Sequence, residues 1–211
     1  IPKNSKRKAQ LLIKEDGIIA GIDLAIMIFE KVDSNLDLEI FIKDGDKVQS
    51  GDIAFIVKGK SRSILAAERL VLNCMQNMSS IATRTNYLVS LISETKTKLL
   101  DTRKTTPLNR KLEKWAVKIG GGKNHRFGLY DMIMIKDNHI DFAGGISNAI
   151  QKTKKYLYET GKELDIIVEA RNLKEVQIIL KENGVKRILL DNFDYESTKK
   201  AVNLIGNKCE T

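Results

Sequence analysis

Cysteine is scarce. Cys74 and Cys209 are the only two in 211 residues, and they have neither metal-ligand spacing nor the density of a disulfide scaffold. Both read as reduced thiols, Cys74 as packing, which is the habit of a cytoplasmic protein. No stretch reaches the about 18 consecutive apolar residues that a membrane span needs. No charged and apolar leader opens the chain. It starts at Ile1 rather than methionine, so residues before it are expected to be missing. Aromatics make up 6%, and no recognised nucleic-acid motif occurs. Both facts weaken a nucleic-acid-binding reading.

What is abundant is positive charge on a core-forming chain. Lys+Arg number 36 against 27 Asp+Glu, for a net charge of +9, with 42% hydrophobic residues. Such a surplus fits nucleic acid, an anionic membrane, or a phosphorylated and carboxylated small molecule. The plain alternative is a lysine-rich solubilising surface. The length allows one large domain or two small ones.

Residues 9–60 read as β-rich. Apolar runs lie at Ala9–Ile13, Ile18–Ile22 and Ile53–Val57, with turn signals at Asp44-Gly45-Asp46 and Ser50-Gly51-Asp52. A helix over Asp23–Val32 is expected to pack on this sheet. The segment DGDKVQSGDIAFIVKG resembles the half-motif of lipoyl- and biotinyl-type folds. Its lysine is not in the carrier turn, so a scaffold role is expected. From Ser61 onward apolar residues recur at helical spacing for about 30 residues. Asn77-Met78-Ser79-Ser80 is expected to break that helix. Beyond Lys98 the pattern alternates. Strands are expected at Lys98–Asp101, Met132–Lys136, Asp165–Glu169 and Arg187–Asp191. Helices are expected at Leu108–Ile119, Gly145–Thr160, Leu173–Asn183 and Tyr195–Ile205. Alternation of this kind implies a parallel sheet with right-handed crossovers.

Each expected strand ends in a charged residue: Asp101 (with Arg103 and Lys104 beyond it), Lys136, Glu169 and Asp191. Parallel α/β folds hold their active sites at those ends. His125, Arg126 and His139 lie in the same stretch, Leu99–His139. Arginines, lysines and histidines with little acid among them make a pocket for a multiply charged anion. The carboxylates Glu169 and Asp191 would coordinate Mg²⁺ or hold sugar hydroxyls. Gly120-Gly121-Gly122 reads either as a flexible turn or as backbone amides cradling phosphate, outside any P-loop context. Glu68-Arg69 reads as a solvated pair near a domain junction, and Trp115 as core.

These segments match a family. DTRKTTP (Asp101–Pro107), LEKWAVKIGGGKNHRFGL (Leu112–Leu129) and IKDNHI (Ile135–Ile140) closely resemble quinolinate phosphoribosyltransferase. KEDGIIAG, ERLVLNCMQNMSSIAT, VEA and LLDNF agree, in order, over nearly the whole chain. The resemblance implies an amino-terminal α/β sandwich, residues 1–95 with linking helices, then an α/β barrel, 96–211, incomplete here. It implies that quinolinate and phosphoribosyl pyrophosphate, with Mg²⁺, give nicotinate mononucleotide, pyrophosphate and CO₂. Arg103, His125, Arg126 and Lys136 would bind the quinolinate carboxylates, and Lys104 the phosphoribosyl pyrophosphate. Glu169 and Asp191 would hold its ribose or metal, and His139 would support the site. Lys136, Glu169 and Asp191 are the candidate catalytic residues. Homo-oligomers, dimers or hexamers, are implied, with Arg69 reaching a partner's site. Paralogues of the molybdenum-transport kind share the fold and parts of DTRKT. The intact IKDNH argues against them. Two departures stand out. Leu108 replaces a usual glycine and is expected to stiffen its loop. The family also continues beyond Thr211 into a glycine-rich, sugar-phosphate-holding stretch.

Overall fold

The computed structural model describes residue 2 and residues 5–211. It is mixed α/β, as expected, and divides into two compact units, Ile1–His125 and Arg126–Thr211. The boundary expected between residues 95 and 96 falls in the first unit.

In the first unit, β1 (Lys6–Leu12), β5 (Ile53–Lys60) and β3 (Asp37–Ile40) form an antiparallel sheet in the order β1-β5-β3. Central β5 is buried over Ala54–Val57. α1 (Ile22–Val32) and the long α2 (Ser61–Leu91) pack on it through Phe29, Phe55, Ile64 and Val71. Two-residue strands β2 (Gly17–Ile18) and β4 (Lys47–Val48) pair beside them. The lipoyl-like turns are scaffold: Asp46 and Asp52 carboxylates accept the Lys43 and Gln49 N–H groups.

The break expected at Asn77–Ser80 is absent: α2 runs unbroken for 31 residues. No glycine or proline interrupts it, and its polar residues have docking roles. Ser79 Oγ accepts Ala20 N–H and donates to Ala20 O. Thr83 Oγ1 does the same for Ile18. The α2 hydroxyls thus satisfy a short strand that has little ladder of its own.

The strand expected at Lys98–Asp101 shrinks to a single parallel bridge, Leu100 to Lys123. Lys123 N–H donates to Leu99 O, and Asp101 N–H to Lys123 O. The segment therefore pairs with the stretch after the glycine triplet, and the parallel sheet has three strands rather than four. α3 (Arg110–Ile119) lies between the bridge partners and packs on α2 through Ala82 and Ala116, with Trp115 half-buried alongside.

The second unit alternates as expected. β6 (Ile133–Ile135), β7 (Ile166–Ala170) and β8 (Val185–Leu190) are parallel in the order β6-β7-β8, the spatial sequence of a barrel wall. α5 (Ile146–Thr160), α6 (Leu173–Ile179) and α7 (Tyr195–Ile205) match expected helices; α6 stops a turn early. α4 (Asp137–Ala143) was not foreseen. Left-handed Gly144 and Gly145 at φ 82° and 122° part it from α5. Central β7 is buried along its whole length, as a strand covered on both faces must be. Ile150, Val168, Val176, Ile188 and Ile205 are at its core. Glu210 forms a parallel bridge to Arg187 on the free edge of β8. Among the described residues no helix is long and apolar enough to cross a membrane.

Candidate functional site

In the first unit, α3 organises one cluster of the expected site residues. Lys114 is only 2% exposed and places its ammonium 2.5 Å from Asp101 Oδ1. The same ammonium donates to His125 O at 3.2 Å, and His125 N–H donates to Asp101 Oδ1 at 2.8 Å. In the orientation its neighbours require, the Asn124 amide donates to Asp101 Oδ2 at 2.8 Å and to Lys114 O at 2.9 Å. Asp101 is thus a structural hub, whose carboxylate is satisfied by charge and N–H groups together. One turn earlier, Arg110 donates to Thr105 Oγ1 and to Arg103 O. The loop carrying Arg103 and Lys104 therefore hangs from one face of α3. Arg103 Nε is buried and has no hydrogen-bond partner among the described residues, which suits a donor awaiting an anion. Lys104 is exposed, with its N–H held by Thr102 Oγ1.

In that loop Leu108 takes a left-handed backbone, φ 66°, with its side chain fully exposed. The leucine adopts the glycine-type conformation instead of re-routing the chain. The phosphate-cradle reading of the triplet fails. The N–H groups of Gly120, Gly121 and Gly122 donate to Ala116, Lys118 and Val117 carbonyls, leaving none for a ligand. Space explains the triplet better. A Cβ on Gly120 would strike Ala82 O and Thr85 Cβ of α2, and one on Gly122 would meet Val117 and Thr85.

In the second unit, expected site residues gather at strand ends. Ile135 pairs with Val168, and Glu169 with Leu189, so Lys136 and Glu169 leave adjacent parallel strands at one level. Their side chains meet at 2.8 Å, with the Glu169 side chain 11% exposed and that of Lys136 46%. Asp191 follows β8 directly; its N–H donates to Ala170 O, and its carboxylate is exposed. Left-handed Asn192, φ 54°, turns the chain there, a conformation asparagine tolerates. His139, on the first turn of α4, accepts Lys136 N–H through Nδ1 at 3.0 Å. With Nδ1 accepting, Nε2 is the ring nitrogen left to donate. Arg126 Nη2 lies 3.5 Å from Met134 Sδ.

Arg69 is exposed on α2, and Glu68 beside it is exposed too, with no ion pair between them. Sequence reasoning missed Lys114, because lysine is almost never buried and a pattern reading puts it outside. It also missed Glu175, 9% exposed, which accepts Arg171 N–H and Nε. Arg171, also paired with Asp141, is held above the usual arginine range by Glu175. Among the described residues no three His, Cys, Asp or Glu side chains form a metal cage. Glu169, in β7, and Asp191, just after β8, lie on adjacent strands; carboxylates so placed could hold Mg²⁺, which takes one or two of them plus water and substrate phosphate.

Comparison with known proteins concerns the chain as a whole. A family model described as quinolinate phosphoribosyl transferase, N-terminal domain, matches residues 1–79. Its C-terminal domain counterpart matches residues 81–211. An Arabidopsis thaliana protein named nicotinate-nucleotide pyrophosphorylase (carboxylating), chloroplastic, is 46% identical over 225 residues, covering 100% of this chain and 64% of its own. A Nicotiana tabacum protein named quinolinate phosphoribosyltransferase (decarboxylating) 1b is 45% identical, with the same shares. The crystal structure of NadC from Streptococcus pyogenes superposes with TM-score 0.92 at 36% identity, over 99% of this chain and 73% of that one. Nicotinate-nucleotide pyrophosphorylase from Francisella tularensis gives 0.91 at 40% identity, over 99% and 72%. The chain spans 64% of the length of these curated relatives.

Proposed function

This chain belongs to the quinolinate phosphoribosyl transferase family, and from that premise we propose that the protein joins quinolinate to phosphoribosyl pyrophosphate. The products are nicotinate mononucleotide, pyrophosphate and CO₂, on the route to NAD. The observation that carries the reading is the Lys136–Glu169 contact at the carboxyl ends of adjacent parallel strands, in a chain of this family. Arg103, His125, Arg126 and Lys136 hold the two carboxylates, and Lys104 a phosphate of the sugar. The buried, unpartnered Arg103 Nε supports this assignment.

The ring nitrogen attacks the anomeric carbon, and the bond to pyrophosphate breaks. Positive charge on the ribose is stabilised by Glu169 or Asp191. The new pyridinium then accepts the electron pair as the neighbouring carboxylate leaves as CO₂, and a proton replaces it. The substrate is its own electron sink, so no organic cofactor is required. Lys136 holds the carboxylates through the first step, with Glu169 fixing its ammonium. His139 supports the site by donating from Nε2. Mg²⁺, held by Glu169 and Asp191, would supply charge neutralisation for the leaving pyrophosphate.

The protein works as a homo-oligomer, dimer or hexamer, with Arg69 reaching a partner's site. The exposure of Arg69 between exposed Leu65 and Leu70 supports this. A cytoplasmic location is supported by the unpaired cysteines. The test is incubation of the full-length protein with quinolinate, phosphoribosyl pyrophosphate and Mg²⁺. Nicotinate mononucleotide and CO₂ are expected, both lost in Lys136→Ala; absence of product overturns the reading. Mixing inactive Arg69→Ala and Lys136→Ala chains should restore activity. No rescue counts against sharing across an interface.

A further inference from the structure

We propose that Lys114 is a positioning residue for Arg103 and His125 in quinolinate binding, an inference that rests on the function proposed above. A lysine ammonium leaves water only where charge and hydrogen bonds replace its hydration. Here Asp101 and the His125 carbonyl replace it. The partners belong to separate segments. Asp101 heads the loop that carries Arg103 and Lys104, and His125 ends the segment that follows the glycine triplet. Lys114 binds both, and Asp101 binds the His125 N–H as well. Asn124 closes the knot from the other carboxylate oxygen.

On the same face of α3, Arg110 holds Arg103 O and Thr105 Oγ1. Residues 110 and 114 are one helical turn apart, so one rigid face fixes the loop at both ends. These contacts fall on backbone atoms of Arg103 and His125. Lys114 therefore acts through backbone placement. Side chains that grip a planar dicarboxylate need placement within a few tenths of an ångström to keep bidentate geometry. A staple needed for stability alone would be replaceable by apolar side chains of similar volume. A positioning knot is not, since an apolar pair cannot anchor the His125 N–H and carbonyl.

The test uses the full-length protein and two variants, Lys114→Met and the double variant Asp101→Leu/Lys114→Met. The double variant leaves no buried unpaired charge, so it carries the test if the single variant fails to fold. Quinolinate affinity is read by calorimetric titration well below each thermal midpoint, alongside KM and kcat. The double variant is expected to recover thermal stability relative to Lys114→Met. Its quinolinate Kd and KM should stay at least tenfold above the parent's, with a smaller change in kcat. A double variant within threefold of the parent in Kd and KM overturns the proposal. A parent protein that neither binds nor turns over quinolinate overturns the function instead, so the two failures are distinguishable.

Discussion

Gly120→Ala separates two reasons for a glycine. Gly120 has φ −71° and ψ 0°, ordinary values for any residue, so backbone freedom does not explain it. Its neighbours do. An added Cβ would strike the Ala82 carbonyl and stand 2.7 Å from Thr85 Cβ and 3.0 Å from Ala82 Cα, all on α2. Two of these atoms are backbone of a continuous 31-residue helix, which has no local way to yield. Overpacking of this kind costs about 1–3 kcal/mol, and a backbone clash belongs in the upper half of that range. Replacing glycine with alanine returns about 0.4–1 kcal/mol by restricting the unfolded chain. The net loss is about 2 kcal/mol, or about 4–8 °C in Tm for a chain of this size. Gly121 is the control. It has φ +93° and nothing nearer than 3.7 Å to a built Cβ. Gly121→Ala carries only left-handed strain of about 1–2 kcal/mol, reduced by the same unfolded-state term. Urea unfolding followed by Trp115, the single tryptophan, measures both. Gly120→Ala should be the more destabilised, with m unchanged. If Gly121→Ala costs more, the close approach of α2 to the triplet is wrong.

Leu108→Gly should stabilise by about 0.5–1 kcal/mol, read as a rise in Tm. The left-handed strain goes, and the exposed leucine buries nothing; a loss above the same size would sink this. Ser79→Ala/Thr83→Ala should cost about 2–4 kcal/mol in urea unfolding, since Ile18 and Ala20 lose their hydroxyl partners. A cost under about 0.5 kcal/mol would mean the docking of β2 does not depend on them. The acid limb follows from three carboxylates. Asp33 is held below 3.8 by Ser63, Asp194 below 3.8 by the Ser197 N–H, and Glu182 below 4.5 by Ser147. Each folded value lies under the unfolded one. Their stabilisation is therefore complete above those ordinary values and lost as pH falls through the folded ones. Asp44, raised by burial, works in the opposite sense. Stability measured from pH 5 down to pH 2 should fall, and Asp33→Asn/Asp194→Asn should flatten the fall.

Much of the second unit was legible, because its signals are local. Asn172 and Asp194 cap α6 and α7 through the N–H groups of Glu175 and Ser197, and short apolar runs mark β6 to β8. The Lys136 and Glu169 positions follow from strand ends alone. The first unit was read less well wherever a polar residue serves a distant partner. Asn77–Ser80 reads as a helix break until Ala20 is seen to need Ser79, as Ile18 needs Thr83 one turn on. Lys98–Asp101 reads as a strand until Lys123 becomes its one bridge partner.

The amino-acid order alone determined the alternation of strands and helices, the charged residues at strand ends and the family. All of these rest on periodicity, caps and motifs spanning a few residues. Only the tertiary structure decided that Lys114 is buried against Asp101, that the glycine triplet makes room for a helix, and that Leu108 adopts a left-handed backbone. A buried charge and a missing side chain have meaning only against neighbours far away in the chain, and folding chooses those neighbours.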